Sequence, residues 1–459
     1  MVCKAVKTFD HNAYIPNAAK ATAITLIPKT NHAEAISDFR PISLCNTTYK
    51  IIAKILAARM KPIMPLIISG NQSGFIHKRI STDNIILANE ILFHYRNSSK
   101  FKMLCAKLDI KKAFDSVSRE FLIARMIQKG FPQPFIKWIN ACINDVWFSV
   151  CIDGALHGFF PSSTGLRQGC PLSPYLFCII MDAFSCLLDN DAIFEAPMVE
   201  GFRLSHLMYA DDLLIFGKAD IHNCENLCQL IETFSMATSL EINYGKSSLL
   251  LSKNCQNPNV ISSILKIPCT STSIAYLGIP ISPNNPKLPD FSKLMETITH
   301  KLFGWKAKAL SFAGRLQFLR FTIWKTIAYW IRGSIIPKTI TKQIEKQCAK
   351  FLYFGDTTAR KMHLISWKNT CKPKVYGGLG LPSLHSVQFS FHCSLIKRLY
   401  NYSSPLSIWV FHTYVSPWKP PPVKSTTFWK KVSTVAHVAK DKFLFIPTSM
   451  APISLYWDH

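Results

Sequence analysis

Carboxylates at the ends of apolar segments are the residues of this chain best suited to do chemistry. Asp211 and Asp212 belong to the sequence YADD, with the apolar stretches LSHLM before it and LLIF after it. Aspartate is depleted in strands and costly to desolvate, so an adjacent pair beside a core needs cations to offset its repulsion. Mg²⁺ prefers such oxygen ligands. The pattern predicts a cation-binding turn, although the motif alone would also suit an Asp-rich turn that merely joins two strands.

A third carboxylate, Asp109, closes the apolar run MLCAKLDI and can meet the turn across neighbouring strands. Three carboxylates from two strands can hold two Mg²⁺ ions roughly 3.5–4 Å apart, as in phosphoryl-transfer sites. One ion would lower the pKa of an attacking hydroxyl, and the other would neutralise charge on a leaving pyrophosphate. Mn²⁺ is an alternative ion. Asp115 is interpreted instead as the cap of the following helix.

A glycine-containing loop, TGLRQGCPLSP at residues 164–174, is the third element with a chemical signature. Gly165 and Gly169 flank Leu-Arg-Gln just before Pro171, which can begin a helix. Glycine lets the backbone approach a ligand closely, and a helix N-terminus favours phosphate. Alone, this loop is also consistent with an ordinary turn that leads into a helix cap.

Strands and helices are mixed in the first part of the chain, and helices follow. Strands are predicted at residues 21–28, 103–110, in a hairpin at 146–160 turning at Asp153-Gly154, and twice within 204–216. Helices are predicted at residues 46–68, 82–95 (capped by Thr82 or Asp83), 118–129 and 171–190. This order predicts an α+β fold with an antiparallel sheet, followed by a helical domain.

Basic residues dominate the last third of the chain. The whole sequence has 53 Lys+Arg against 27 Asp+Glu, a net charge of +26. Residues 301–450 alone have 24 Lys+Arg and 3 Asp+Glu, a net charge of +21. A solvated face is the plain alternative, but this imbalance favours a surface that binds phosphates. The longest apolar stretch, around residues 175–188, is interrupted by Asp182 and too short to span a bilayer, which favours nucleic acid over a membrane as partner.

Cysteine spacing and the N-terminus indicate an intracellular protein. The fifteen cysteines are scattered, and the closest pair, Cys224 and Cys228, has no matching His or Cys pair at zinc-finger distance. Reduced thiols and no zinc site are therefore expected. The first residues, MVCKAVKTFDHNAY, contain no apolar segment typical of a signal peptide.

Nine blocks in this order resemble the reverse transcriptases of non-LTR (LINE-type) retrotransposons, particularly the plant kind. The blocks are FRPISLCNTTYKIIAKILAARM (39–60), NQSGFIHKRISTDNIILANE (71–90), KLDIKKAFDSV (107–117), TGLRQGCPLSPYLF (164–177), YADDLLIF (209–216), LEINYGKS (240–247), YLGIP (276–280), WKAKALSFAGRLQFL (305–319) and GGLGLPSL (377–384). The resemblance implies a right-hand polymerase with fingers, a palm with an antiparallel sheet, a helical thumb and a basic C-terminal helical extension. Two proline-rich strings, SPNNPKLP at residues 282–289 and SPWKPPP at residues 416–422, suggest a domain boundary and a linker. The predicted domains are an N-terminal stub (1–20), fingers and palm (21–285), thumb and basic connection region (286–415), and a linker with a short tail (416–459).

The resemblance also assigns the site residues. Asp109, Asp211, Asp212 and the backbone carbonyl of Ile110 would bind the metal ions. Phe114 would be a steric gate whose ring leaves no room for a ribose 2′-OH, so that deoxynucleotides are selected. The implied activity is RNA-directed DNA polymerisation, which adds dNTPs to a DNA primer on an RNA template.

The remaining assignments concern the nucleotide and the primer. Gln168 and Gly169 would contact the incoming nucleotide, Lys78 and Arg79 its triphosphate, and Lys246 would be the general acid for pyrophosphate, with a solvated surface lysine as the alternative. The primer grip would be Tyr276, Leu277 and Gly278. Aromatic and basic residues that suit a thumb tracking a duplex are Trp305, Phe312, Arg315, Phe318 and Arg320.

Some features depart from the family pattern. An endonuclease domain and a Cys/His-rich or ribonuclease H segment are not visible, so a truncated element is expected. Thr164 replaces a common basic residue, and Arg119-Glu120 stands where a Trp is often found. The alternative to an active enzyme is a degenerate remnant or a domesticated nucleic-acid-binding module. The resemblance also implies an intracellular protein that works on nuclear DNA, although no dense basic cluster marks an import signal.

Overall fold

The chain folds into two compact units, each built from several chain segments. A computed structural model describes residues 2–30, 32–96, 98, 100–270, 272–304, 309–357, 364–401, 404–443, 453–454 and 456–458. Unit 1 comprises Met1–Ser81, Ser99–Pro197 and Arg203–Ser271, and unit 2 comprises Thr82–Ser98, Met198–Phe202 and Thr272–His459. This division differs from the predicted domain limits, because short segments inside the predicted fingers and palm belong to unit 2.

Helices outnumber strands along the chain, and the strands concentrate in unit 1. The helices are α1 (Val2–Asn12), α2 (Asn17–Lys20), α3 (Thr47–Met60), α4 (Met64–Ile67), α5 (Ser81–Tyr95), α6 (Arg119–Gln128), α7 (Gln133–Ile143), α8 (Ser173–Asn190), α9 (Ile221–Thr238), α10 (Pro258–Leu265), α11 (Ser292–Phe303), α12 (Phe312–Phe318), α13 (Trp324–Gly333), α14 (Lys338–Phe354), α15 (Trp367–Thr370), α16 (Leu384–Leu399), α17 (Pro405–Tyr414) and α18 (Thr427–Val438). The strands are β1 (Thr22–Pro28), β2 (Phe39–Cys45), β3 (Met103–Leu108), β4 (Trp147–Ile152), β5 (Ala155–Pro161), β6 (Met198–Val199), β7 (Phe202–Arg203), β8 (His206–Tyr209), β9 (Asp212–Lys218), β10 (Ser248–Leu251), β11 (Ile274–Tyr276) and β12 (Ile279–Ile281). Among the described residues, no helix is both long and apolar enough to cross a bilayer.

The sheet that carries the aspartates is antiparallel throughout and lies in unit 1. Its strand order is β10-β3-β9-β8. The two middle strands are almost entirely buried, and nearly all their residues are apolar. The predicted antiparallel sheet and the two short strands within 204–216 are confirmed.

A second sheet of unit 1 has the strand order β2-β1-β4-β5, with β1 and β4 parallel and the other pairs antiparallel. The hairpin of β4 and β5 turns at Asp153 (φ 49°) and Gly154 (φ 82°). Two successive residues with positive φ are typical of a type I′ turn, in which Asp-Gly is favoured. The predicted hairpin and its turn are confirmed.

Two predicted helix caps are wrong. Helix α6 is capped by Ser118, whose side chain accepts a hydrogen bond from the Phe121 N–H (3.1 Å), and Asp115 lies too early in the chain. Helix α5 begins at Ser81, so neither predicted cap precedes it. In unit 2, Asp83 instead accepts a hydrogen bond from Arg398 (2.8 Å). A cap must stand directly before the first helical residue, and residue type alone does not fix that position.

Described residues of the predicted N-terminal stub and of the predicted linker and tail are buried in the two units. Phe9 and Ile15, from the predicted stub, belong to the buried core of unit 1. In the predicted linker and tail, α18 buries Trp429, whose ring stacks on Tyr414 of α17 with centroids 4.5 Å apart. Large aromatic side chains bury enough apolar surface to fix a short helix.

Unit 2 contains a fully buried acid, Glu90 of α5. Its carboxylate accepts hydrogen bonds from the hydroxyls of Tyr414 (2.7 Å) and Thr426 (2.5 Å). Burial raises the pKa of Glu90 to about 7, although both hydrogen bonds favour the charged form. The folded protein therefore holds this proton more tightly than the unfolded chain does.

We expect Glu90→Gln to remove a pH dependence from the stability of unit 2. For the native residue, the stabilisation is complete below pH 4.5, the ordinary value, and is lost as the pH rises to about 7. Between pH 4.5 and 8 the variant should therefore gain up to about 3 kcal/mol in unfolding free energy relative to the wild type. Urea unfolding at pH 5 and pH 8 measures this difference. Equal pH dependence in the two proteins would contradict the prediction.

Candidate active site

The register of the antiparallel sheet brings the predicted metal ligands together. Leu108, the last residue of β3, pairs with Leu213 of β9, so Asp109 comes next to Asp212 at the same end of the sheet. Asp211 lies in the tight turn between β8 and β9, where Tyr209 pairs with Asp212. The sheet therefore places Asp109, Asp211 and Asp212 at the same end of its strands, and we call this end the carboxylate edge.

Electrostatics at this edge indicate crowded negative charge. Burial raises the pKa of the Asp211 carboxyl, even though the side chain keeps exposed surface. The charges of Asp212 and Asp109 raise it further. Lys107 offsets part of the charge, with its Nζ atom 3.3 Å from Asp212 Oδ1. A site with this excess of carboxylate is stabilised by cations.

The donor set fits Mg²⁺ in chemistry but is not converged. In the described part of the chain, no three His, Cys, Asp or Glu side chains are arranged as a ready metal site. The three aspartates nevertheless supply only hard oxygen donors, and their charges already influence one another. Asp109 is fixed from the backbone side, because its N–H donates to Ser247 Oγ (3.1 Å) and its carbonyl accepts from the Asn243 N–H (2.7 Å). The predicted ligand Ile110 is held by a bridge to Ile242.

The predicted nucleotide-selecting residues also lie close together. The Phe114 ring stacks on Phe177 with centroids 4.8 Å apart, and the Phe114 carbonyl accepts a hydrogen bond from the Leu166 N–H (2.6 Å). Gln168 Nε2 donates to the carboxylate of Asp115 (3.4 Å). The loop at 164–169 is therefore attached to the segment that carries the proposed gate.

Two positions in this loop require glycine. Gly165 has a φ of +81°, and a Cβ there would lie 2.4 Å from the Asp115 carbonyl oxygen. Gly169 has a φ of +105°, and its Cβ would lie 3.2 Å from the Ser43 carbonyl oxygen. Neither distance accommodates a side chain without backbone movement, so these glycines allow close packing of the loop. Direct contact of Gly169 with a nucleotide stays a prediction.

Arg119 supports the same loop, a role that sequence reasoning missed. Its buried guanidinium donates to the carbonyls of Gly165 (3.0 Å), Ser162 (2.9 Å) and Thr164 (2.8 Å), and to the Ser162 hydroxyl (2.5 Å). The sequence offered a signal, because a charged residue occupied a position where the resembled family often has Trp. A planar guanidinium with several donors can bind a curved stretch of backbone carbonyls.

The two residues assigned to the triphosphate differ in their surroundings. The Arg79 guanidinium donates to the carbonyls of Pro65 (3.1 Å), Ile68 (2.9 Å) and Gln72 (2.7 Å), and also to that of Ser69. Phosphate binding would require those bonds to break, so this arrangement disfavours Arg79 as a triphosphate ligand. Lys78 is exposed, with a left-handed φ of 68°. Lys78 therefore stays the stronger of the two predictions.

Comparison with known proteins decides the family. The reverse transcriptase (RNA-dependent DNA polymerase) family matches residues 27–281, more than half of the chain. The chain belongs to the reverse transcriptase family. The α+β fold class predicted from the sequence is confirmed. The sheet β10-β3-β9-β8 lies within the predicted fingers and palm, and we refer to it as the palm sheet.

The relatives confirm the LINE-type resemblance. The chain is 28% identical over 398 residues to the transposon TX1 uncharacterized 149 kDa protein of Xenopus laevis, covering 86% of this chain and 30% of that protein. It is 29% identical over 206 residues to the Pol polyprotein of the type-2 retrotransposable element R2DM of Drosophila melanogaster, covering 44% of this chain and 19% of that one. The chain thus spans less than a third of the length of these relatives. Among solved structures, telomerase from Candida albicans with a fragment of telomeric RNA is similar over 89% of this chain and 69% of that one, at 13% identity and a TM-score of 0.41.

The remaining predicted site residues of the reverse transcriptase are Lys246 of unit 1 and the primer grip of unit 2. Lys246 is exposed in the turn that leads into β10. The predicted primer grip lies in unit 2, where Leu277 (φ 49°) and Gly278 (φ 80°) form the tight turn between β11 and β12. Tyr276 is fully buried, and the Leu277 carbonyl accepts a hydrogen bond from the Tyr329 hydroxyl (2.6 Å).

Two arginines of the predicted thumb surface donate hydrogen bonds to backbone carbonyls of unit 2. Arg315 donates to the Phe351 carbonyl (3.4 Å), and Arg320 donates to the carbonyls of Leu379 (3.2 Å) and Gly380 (3.1 Å). Both guanidinium groups therefore have a structural role beside any contact with nucleic acid. Trp305, the first of the predicted thumb residues, lies outside the described residues.

Proposed function

We propose that this chain is an RNA-directed DNA polymerase that adds dNTPs to a primer 3′-OH on an RNA template. The observation that carries the proposal is the position of Asp109, Asp211 and Asp212 at the same end of neighbouring strands of the palm sheet, with a raised pKa at Asp211. The family match supports RNA as the template. The DNA primer, the dNTPs and a place of work at nuclear DNA are part of the proposal.

The three aspartates, with the Ile110 carbonyl, would hold two Mg²⁺ ions, with Mn²⁺ as the alternative. When bound, these ions lower the pKa of the primer hydroxyl and offset charge on the transferred phosphate. The protein itself orients the reactants. The raised pKa of Asp211 and the like charges of Asp109 and Asp212 beside it are typical of a site that a dication would stabilise.

The other residues of the site bind and select. The Phe114 ring would pack beneath the sugar and exclude a ribose 2′-OH, while Gln168 and Gly169 line the nucleotide. Lys78 would neutralise the triphosphate, and Lys246 would donate a proton to the departing pyrophosphate. The exposure of both lysines supports these roles, because each ammonium group can reach a ligand in solvent.

Primer extension tests the proposal. The purified chain should incorporate dTTP on poly(rA)/oligo(dT) in the presence of Mg²⁺, and chelation of the metal should stop incorporation. Folded protein that incorporates no dTTP would contradict the proposal for this chain. The alternative is a nucleic-acid-binding module without chemistry. The charge of +21 over residues 301–450 suits it as well, and it would show salt-dependent RNA binding without extension.

A further inference from the structure

The loop at residues 69–79 lies against the turn that carries Asp211 and Asp212. Its residue Gln72 is fully buried. Gln72 Oε1 accepts hydrogen bonds from the N–H groups of Ala210 (2.9 Å) and Gly74 (2.8 Å), and its Nε2 donates to the Ala210 carbonyl (3.5 Å). We propose that Gln72 is a positioning residue that fixes the backbone of Ala210 and thereby the direction of both metal-binding aspartates, an inference that rests on the proposed polymerase function.

Ala210 is a residue whose backbone needs such support. It has a φ of 56°, in the left-handed region that residues with a Cβ adopt rarely. Asp211 and Asp212 directly follow Ala210, so the directions of their carboxylates depend on the orientation of this backbone. Gln72 contacts both polar groups of Ala210, the N–H and the carbonyl, so a single side chain restrains the peptide planes on both sides. A free turn would have no such restraint.

The loop also pairs directly with the strand before the turn. The Ser73 N–H donates to the Met208 carbonyl (2.9 Å), and the Met208 N–H donates to the Asn71 carbonyl (2.9 Å). Gly74 completes the fit, because a Cβ at this position would lie 2.4 Å from the Ala210 nitrogen. The close approach that brings Gln72 to the turn therefore depends on a glycine two residues later.

The loop is anchored from its far side, so that Gln72 does not simply follow the turn. Arg79 binds the Gln72 carbonyl (2.7 Å) and three further carbonyls before it. The Ser69 N–H donates to Asp182 Oδ1 (2.7 Å), and Asp182 is buried and paired with Arg125 and Lys129. Breaking a buried ion pair of this kind destabilises the protein strongly. The loop is therefore held in place independently of the turn, and Gln72 connects the two.

A buried amide can also be an ordinary core residue, and unit 1 contains such a residue for comparison. Asn223 is buried, its Oδ1 accepts from the Glu195 N–H (2.7 Å), and its Nδ2 donates to the carbonyls of Glu195 (3.1 Å) and Lys218 (2.9 Å). It thus makes three hydrogen bonds to backbone, as Gln72 does. Strand β9 begins at Asp212 and finishes at Lys218. At about 3.3 Å per residue, Lys218 lies about 20 Å from the carboxylates. Asn223 is therefore a matched control.

The experiment compares Gln72→Met with Asn223→Leu, each close in size to the native side chain but unable to make the hydrogen bonds. Hydrogen exchange followed by mass spectrometry reports protection of the peptide around Ala210 without metal or substrate. Mn²⁺ titration followed by electron paramagnetic resonance reports metal affinity, and primer extension reports kcat and KM. Gln72→Asn, one methylene shorter, repeats the exchange measurement if Gln72→Met does not fold.

For Gln72→Met we expect faster exchange at the turn, a Mn²⁺ dissociation constant raised about tenfold, and a kcat lowered about 10- to 100-fold with KM for dTTP nearly unchanged. Asn223→Leu should change none of these three, whatever its effect on melting temperature. Wild-type exchange at the turn in the Gln72 variants, or equal losses in both proteins, would overturn the proposal. If the wild type extends no primer, the polymerase proposal fails, and the exchange and Mn²⁺ measurements still decide the role of Gln72.

Discussion

Asp211→Asn is expected to abolish primer extension, lowering the rate of dTTP incorporation on poly(rA)/oligo(dT) by at least about 1000-fold. Asparagine keeps the shape of the side chain but cannot supply the charge that binds a dication. The folded protein should not suffer, because burial and the charges of Asp212 and Asp109 already disfavour a carboxylate at this position. We therefore expect a melting temperature in metal-free buffer equal to or above that of the wild type.

Asp153→Asn is the matched control for this variant. Asp153 is an exposed aspartate in the β4–β5 turn, and its left-handed φ of 49° is tolerated by asparagine. The control should keep wild-type extension and wild-type stabilisation by Mg²⁺, whereas Asp211→Asn should lose both. An Asp211→Asn protein that retains more than about a tenth of wild-type activity would show that the carboxylate edge is not the catalytic site.

Phe114→Val is expected to admit ribonucleotides, reducing the ratio of kcat/KM for dTTP over UTP by about 100-fold. The gate depends on a ring held in one place. Phe114 is held by stacking on Phe177, at a centroid distance of 4.8 Å, and by the backbone bond from Leu166. Valine would leave an open space where the 2′-OH of a ribose could fit. Single-nucleotide incorporation with each substrate measures the ratio.

Phe135→Val controls for the loss of a stacked phenylalanine. Phe135 stacks on Phe131 with centroids 5.7 Å apart and the same interplanar angle of 26° as the pair at the gate. It lies on α7, outside the loop that carries Gln168. This control should lose stability without any change in sugar selection. An active Phe114→Val protein with the wild-type ratio would refute the gate assignment.

The features that could be predicted from the sequence are those fixed by neighbours in the chain. Asp153-Gly154 carries its turn preference locally, and the apolar run before Asp109 is sufficient to indicate a buried strand. The roles of the two arginines were harder to predict. Arg79 suits phosphate by type, and only the folded loop shows that its donors bind four carbonyls. Arg119 likewise binds residues more than forty positions later in the chain.

The prediction of a linker and short tail missed helix α18, although the sequence contains a signal for the start of this helix. The proline-rich stretch at residues 416–422 indicated a linker, although Thr426 before an apolar periodic segment is a helix-start signal, and it caps α18. Gln72 had no such signal. Its sequence block was evident, but the partner of its side chain is 138 residues away. Only the pairing of the loop with β8 brings the two together.

The discontinuous composition of unit 2 has a consequence for the order in which the chain emerges from the ribosome. Helix α5 belongs to unit 2, and its apolar residues, such as Ile85 and Ile91, are buried there. The rest of that unit begins only at Thr272, apart from five residues at 198–202. At ordinary rates of synthesis, α5 waits on the order of 10 s for its packing partners. A fragment cut at residue 271 would carry this helix without most of the unit to which it belongs. We therefore expect such a fragment to aggregate more readily than the whole chain.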